Sequence, residues 1–168
     1  MKYLLAVALL SLHLLGRAQV PANAESSRSQ DGFAGIVLVT TDENWKQKWD
    51  TPSAVTPGFT KASIVPYGKN LSVLTFFSNP QPDAAGKVAL RCDFKLLAPD
   101  GKVTLEQADM NCYTGRIAGA LSNIYLAAPV INFAADASDP AGNWVVEVVL
   151  RDVVRGVALP LRTKFTLQ

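Results

Sequence analysis

One short segment has residue types at a spacing that could bind a ligand or a partner. Trp45 and Trp49 are four residues apart, so on a helix both indoles would share one face. Paired indoles could stack on a sugar or anchor a protein, and Lys46 and Lys48 add positive charge beside them. These four residues, with the loop 51–60, form our candidate partner-binding site. The alternative is that both rings are buried, because large aromatic side chains usually supply core area.

The only two cysteines could form a disulfide bond or a redox pair. Cys92 and Cys112 lack the Cys-x-x-Cys spacing of redox motifs, and in an exported chain a structural disulfide is expected. A turn at Asp100-Gly101 would place Cys92 opposite about position 109. A bulge or short loop would then bring Cys112 to it, so we predict a Cys92–Cys112 disulfide.

Several catalytic chemistries lack their residues. The single histidine, His13, lies in an N-terminal segment whose pattern predicts removal as a secretory signal. The remaining chain then has no histidine for Ser-His-Asp or Cys-His catalysis or for histidine-ligated zinc or copper. The chain contains no Ser-x-x-Lys motif, no glycine-rich phosphate loop and no basic patch interleaved with aromatic residues. We therefore expect no enzyme, no cofactor, no metal site and no nucleic-acid binding.

Paired carboxylates keep one enzymatic alternative open. Asp83, Asp93, Glu106 and Asp109 could form the acid pair of a hydrolase, because the sequence cannot place them relative to one another. They are better explained as acids of turns and solvent-facing strand positions. Residues 136–140 (Asp-Ala-Ser-Asp-Pro) offer oxygen ligands but too few for a calcium loop, so we interpret them as a turn.

The N-terminus is typical of a secretory signal. Lys2 precedes the largely apolar run 3–15, which Arg17 ends too early for a membrane span. Small residues at positions −3 and −1 predict cleavage after Ala24, alternatively after Ala18. We therefore expect a periplasmic or secreted protein with no membrane span in the mature chain.

Removal of the signal changes the charge and sets the domain boundaries. The full chain has 16 basic and 14 acidic residues, and loss of Lys2 and Arg17 makes the mature chain neutral. We predict a signal peptide at 1–24, a polar flexible lead-in at 25–32 and a single domain at 33–168.

Most of that domain alternates apolar and polar residues with a period of two, which is typical of half-buried antiparallel strands. In 87–96, every second residue from Val88 to Leu96 is apolar, and most of the residues between them are charged. Trp144 begins a similar alternation of apolar and polar residues. Residues 42–50 depart from this pattern and predict one short helical insertion, in which Asp42 could face Lys46. Seven to nine strands are predicted, at 35–41, 60–65, 70–78, 87–96, 102–106, 124–133 (in one or two pieces around Pro129), 144–151 and 157–167.

The closing pattern supports a family-level comparison. The alternation from Gly142 through Trp144 to Asp152, followed by Val157 to Leu167, resembles the last strands of immunoglobulin-like modules in bacterial envelope proteins. Gly68 to Val73 is similar to a strand entry in the same modules. The resemblance implies an all-β, immunoglobulin-like antiparallel sandwich with a binding or structural role, and it supplies no catalytic residue.

These observations favour a non-catalytic protein-interaction module of the cell envelope, acting as an assembly accessory, a chaperone-like factor or an inhibitor. Its partner would be another envelope or secreted protein. The alternatives are a carbohydrate-binding module using Trp45 and Trp49 and, further, a carboxylate-dependent hydrolase.

Overall fold

A computed structural model describes residues 19–51 and 57–168. The predicted signal core and the Ala18 site lie outside the described residues, as do positions 52–56 of the candidate loop. The elements are β1 Ser27–Gln30, β2 Phe33–Thr40, α1 Trp45–Trp49, β3 Ile64–Val65, β4 Asn70–Ser78, β5 Val88–Leu97, β6 Val103–Gly115, β7 Tyr125–Leu126, β8 Ile131–Ala134, β9 Gly142–Asp152 and β10 Val157–Leu167.

The strands form two sheets, which confirms the all-β sandwich with one short helix. Sheet I has the order β1-β2-β4-β7, and β8 also pairs with β4. Sheet II has the order β3-β10-β9-β5-β6. All pairings are antiparallel except the parallel pair of β3 with β10. Within the described part of the chain, no helix has the length and apolarity that a bilayer span requires.

The core lies between the sheets and follows from the alternation. Every second residue of β5, from Val88 to Leu96, is buried, and β10 shows the same pattern. Trp144 is only 1% exposed and stacks on Phe165 at 6.3 Å between ring centroids. Its indole N–H donates to the Pro140 carbonyl at 3.0 Å, so the polar atom of this core residue is satisfied.

The prediction of a flexible lead-in at 25–32 is wrong, because residues 27–30 form the strand β1. This strand pairs with β2 from Ser27 opposite Ile36 to Gln30 opposite Phe33. Asp31 and Gly32 both have positive φ, 51° and 83°, as a tight hairpin turn requires. The four exposed polar residues of β1 are held by backbone pairing, which needs no apolar side chain. Counted over residues 19–51 and 57–168, the strands number ten, with β1 included.

Strand β6 is also longer than predicted, and its irregularity accounts for the disulfide. Arg91 lies opposite Asn111 and Leu90 opposite Tyr113, so the intervening Cys112 is the extra residue of a bulge. The bulge turns Cys112 inward, where it is 3% exposed and bonded to Cys92 with Cα atoms 5.8 Å apart. The predicted disulfide is therefore confirmed.

Candidate functional site

The outer face of sheet I is apolar, which is unusual for a solvent-facing surface. Phe77 points into the core, so its neighbour Phe76 points outward, yet Phe76 is only 6% exposed. Ile36 is the register partner of Phe76, and Leu38 is the partner of Leu74, which places these side chains on the same outer face. Something must therefore cover this face.

The cover consists of α1 and the segment that leads into β3. The Trp49 ring lies 5.3 Å from the Phe76 ring, and the Phe59 ring lies 5.8 Å from it. We call Trp49, Phe59 and Phe76 the aromatic cluster. Trp45 precedes Trp49 by one helical turn, and both indoles are partly exposed, since α1 has no buried residue. The alternative in which both rings are buried is therefore wrong: the helix lies on the outer face of a sheet and leaves both rings in partial contact with water.

A single carboxylate ties α1 to the segment that follows it. Asp42 Oδ2 accepts hydrogen bonds from Lys48 Nζ at 2.8 Å and from the Thr60 N–H at 2.8 Å. Burial raises the pKa of this carboxyl, but the bonds from Lys48 and Thr60 outweigh it and hold the pKa below its ordinary value. The sequence spacing allows Asp42 to face Lys46, but in the structure Asp42 pairs with Lys48 and Lys46 pairs with Asp50.

Lys46 and Lys48 have different surroundings. The Lys46 side chain is 74% exposed, and its contact with Asp50 is a surface pair that costs little to break. The Lys48 side chain is 30% exposed because it is held by Asp42. The structure thus brings the four predicted residues together on one helix. Lys48 and Trp49 have contacts that hold the helix, whereas the Lys46 ammonium bonds the exposed Asp50 at 2.7 Å and stays accessible to a partner.

Three of the four candidate carboxylates for a hydrolase site lie on the outer face of sheet II, where they form ion pairs. Asp93 takes a bidentate contact from Arg151 at 2.6 Å, which raises the pKa of Arg151 further. Hydrogen bonding from Arg91 lowers the pKa of Asp109. Asp109 also donates its N–H to Asp93, so these two acids adjoin.

The third acid of this face is Glu106, and the fourth candidate, Asp83, lies in a loop. Glu106 is 3.5 Å from Lys95 on the same face. Asp83 accepts the backbone N–H groups of Ala85 and Lys87 in the loop between β4 and β5. The acids are thus distributed between ion pairs and a turn.

Residues 136–140 form a turn, as predicted. Asp136 Oδ1 accepts both the N–H and the hydroxyl of Ser138, and these bonds lower the pKa of Asp136. Across residues 19–51 and 57–168, no group of three or more His, Cys, Asp or Glu side chains is placed to hold a metal ion.

A basic groove, which no sequence pattern indicated, lies beside β10. The groove has a volume of about 730 Å³ and runs between the N-terminal segment and the outer face of sheet II. Its basic side chains are Lys61, Arg162 and Lys164, and Glu25 is its acid. Arg162 and Lys164 alternate with buried residues of β10, which indicates that they point outward. Nothing in the sequence indicates that residues 22–27 lie against them.

Comparison with known proteins provides no family assignment. No family model and no curated protein matches the chain. Solved structures that align with part of this chain include a family 123 glycoside hydrolase from Clostridium perfringens, at 8% identity and a TM-score of 0.47 over 80% of this chain and 27% of that one. An alkylpurine DNA glycosylase from Pseudomonas fluorescens matches at 12% identity and 0.41, over 63% and 28%. A Niemann-Pick type C2 protein from the Japanese carpenter ant matches at 9% and 0.40, over 88% and 96%.

This chain therefore spans less than a third of the first two structures. At these identities and scores, no activity, ligand or partner transfers from them. The resemblance to immunoglobulin-like modules stays a prediction.

Proposed function

We propose that this protein is an exported, non-catalytic protein-interaction module of the cell envelope, and that its partner docks on α1. The observation that carries the proposal is the pair of partly exposed indoles, Trp45 and Trp49, held over the outer face of sheet I. Tryptophan is one of the side chains enriched among residues that dominate binding energy at protein interfaces. The exposed Lys46 supplies a rim charge beside it.

Export is the second part of the proposal. The Cys92–Cys112 disulfide is compatible with an oxidising compartment outside the cytoplasm. The N-terminal signal pattern supplies the route, and the partner is then another envelope or secreted protein. Assembly accessory, chaperone-like factor and inhibitor are the roles that fit such a module.

The test separates binding from stability by using two tryptophans with different contacts. The partner is first identified by in-cell crosslinking of the exported protein and then purified for affinity measurements. Trp45→Ala is expected to weaken the complex about 30-fold, the effect of losing roughly 2 kcal/mol from a central anchor, with little change in Tm. Trp49→Ala is expected to lower both affinity and Tm, because it also removes the contact with Phe76.

The matched control is Ile64→Ala, which truncates a side chain that is 60% exposed and lies on β3. It is expected to leave the affinity unchanged. A complex that tolerates Trp45→Ala as well as it tolerates Ile64→Ala would rule out docking on α1.

Glycan binding is the second candidate, and the same two indoles favour it, because aromatic faces stack on sugar rings. Titration of a polysaccharide panel should then quench tryptophan fluorescence in the wild type and less in Trp45→Ala. Fluorescence that stays constant across the panel would exclude this candidate.

A further inference from the structure

The residues just before β1 are part of the fold. The carbonyl of Glu25 accepts the Arg162 N–H of β10 at 2.9 Å, and the carbonyl of Ser26 accepts the Val37 N–H of β2 at 2.8 Å. Two consecutive carbonyls thus bond to strands of different sheets. They close the sandwich along the side where β1 and β10 meet.

The contacts extend upstream of Glu25, into residues 21–24. The Ala22 carbonyl accepts a hydrogen bond from Arg162 Nη1 at 2.7 Å. The Ala24 N–H donates to the Pro21 carbonyl at 2.9 Å, so residues 21–24 form a turn. Ala24 is partly buried and, with Ala22, lines the basic groove.

One of the two candidate cleavage sites lies within these contacts. Cleavage after Ala24 would remove the turn at residues 21–24 and the part of the groove that Ala22 and Ala24 line. The same cut would remove the Ala22 carbonyl, which accepts from Arg162 Nη1. Cleavage after Ala18 would place the new ammonium on Gln19, six residues earlier, and would keep every contact described above.

We infer that the mature chain begins at Gln19 and that residues 19–24 are retained as part of the folded domain. The host signal peptidase would hydrolyse the Ala18–Gln19 peptide bond, with water giving a carboxylate on Ala18 and an ammonium on Gln19. This inference rests on the proposed export. Both sites carry small residues at positions −3 and −1, so the sequence pattern permits either cut. The inference reverses the expected preference for cleavage after Ala24.

The experiment uses the complete precursor, expressed in a bacterium with an oxidising periplasm, and reads the mature N-terminus by intact mass and tandem mass spectrometry. A start at Gln19 is expected. A start at Glu25 would overturn the inference while leaving export intact. Precursor that remains unprocessed in the membrane fraction would overturn both the inference and the proposed export.

Two matched variants report on the same point. A bulky residue at position −1 blocks signal peptidase, so Ala18→Leu should abolish or divert normal processing. Ala24→Leu should be processed normally and yield a mature protein that carries the added mass of the leucine. Normal processing of Ala18→Leu, with Ala24→Leu left uncleaved, would contradict the inference.

A stability measurement tests the structural basis separately. Proteins with exact N-termini at Gln19 and at Glu25, released from a cleavable tag and oxidised, should differ in Tm by about 3 °C in favour of the Gln19 form. Equal Tm values would contradict a role for residues 19–24 in the fold.

Discussion

Asp42 is the residue on which the position of α1 depends. Its carboxylate joins Lys48 on the helix to the backbone of Thr60, and its side chain is only 13% exposed. Lys46 and Asp50 are four residues apart, as in an ordinary helix ion pair. Both side chains are largely exposed, so their pair contributes little to the stability of the fold. One buried acceptor therefore fixes the helix, while the exposed pair leaves its surface free for a partner.

The Asp42 carboxylate should make the attachment of α1 sensitive to acid. Its pKa is lowered in the folded protein, so the ionised form contributes stability that is fully present above the unfolded value of about 3.9. That stability is lost as the pH falls through the folded pKa. Tryptophan fluorescence should therefore change below about pH 4, before the buried Trp144 reports global unfolding.

Asp42→Asn should remove this acid-dependent step, and Asp50→Asn, which changes an exposed carboxylate, should keep it. If Asp42→Asn and the wild type gave the same pH profile, the Asp42 carboxylate would not be the group that holds α1.

At the scale of elements, a glycine in β2 sets how closely the two sheets approach. A Cβ added at Gly35 would lie 2.9 Å from Leu150 Cδ2 and 3.2 Å from Leu161 Cδ1. Both leucines are fully buried and belong to sheet II. The close approach of β2 to β9 and β10 therefore requires that this position have no side chain.

Gly35→Ala should lower the free energy of unfolding by about 1–3 kcal/mol, because overpacking displaces close-packed leucines. Urea denaturation measures the change. Gly58→Ala is the matched control, since a Cβ there meets nothing within 4 Å, and it should be neutral. A Gly35→Ala protein as stable as Gly58→Ala would show that the two sheets have room to move apart.

The disulfide joins two neighbouring strands of one sheet and closes a loop with a sequence separation of 20. Replacing both cysteines with alanine should cost about 3 kcal/mol on the chain-entropy account, measured by denaturation of the oxidised wild type against the double variant. Reduced wild type should resemble the variant. Coincident denaturation curves for the oxidised wild type and the variant would exclude a stabilising role.

At the scale of the whole molecule, the two outer faces differ in character. Sheet II presents ion pairs to solvent, such as Arg162 with Glu147 and Arg151 with Asp93. Sheet I presents apolar side chains that α1 and Phe59 partly cover. The charged face resists association, so the helix-covered face is the side on which a partner gains most from excluding water.

Contacts at one end of the sandwich join both sheets. Arg155 donates to the carbonyls of Asp31 at 2.6 Å and Asn79 at 3.0 Å, and its Nε lies 3.5 Å from the buried Asp152 carboxylate. These residues lie in or beside turns of sheet I and sheet II. The two sheets thus share one core and are tied together at the loops.

The oxidised protein should therefore unfold in one cooperative transition. Because a single cluster of buried residues spans both sheets, neither sheet keeps a core without the other. Far-UV and near-UV circular dichroism should give coincident curves in urea. Separate midpoints for the two signals would mean that the sheets unfold independently.

Predictions from local pattern succeeded where the pattern itself has a structural cause. The strand β4 begins and ends at the predicted positions 70 and 78, and the hairpin from Trp144 to Phe165 pairs as the alternation indicated. The polar strand β1 has no such pattern. Its pairing depends on a turn and on backbone hydrogen bonds, which polar residues make as well as apolar ones.

The amino-acid sequence by itself determined the all-β class, the buried Trp144 and the pairing of Cys92 with Cys112. Each follows from the two-residue period of a strand or from there being only two cysteines. Only the tertiary structure decided that α1 covers Phe76, that Asp42 bonds Lys48 and Thr60, and that residues 22–26 lie against β10. These contacts join parts of the chain far apart in sequence, so they depend on strand order and register, which local alternation does not specify.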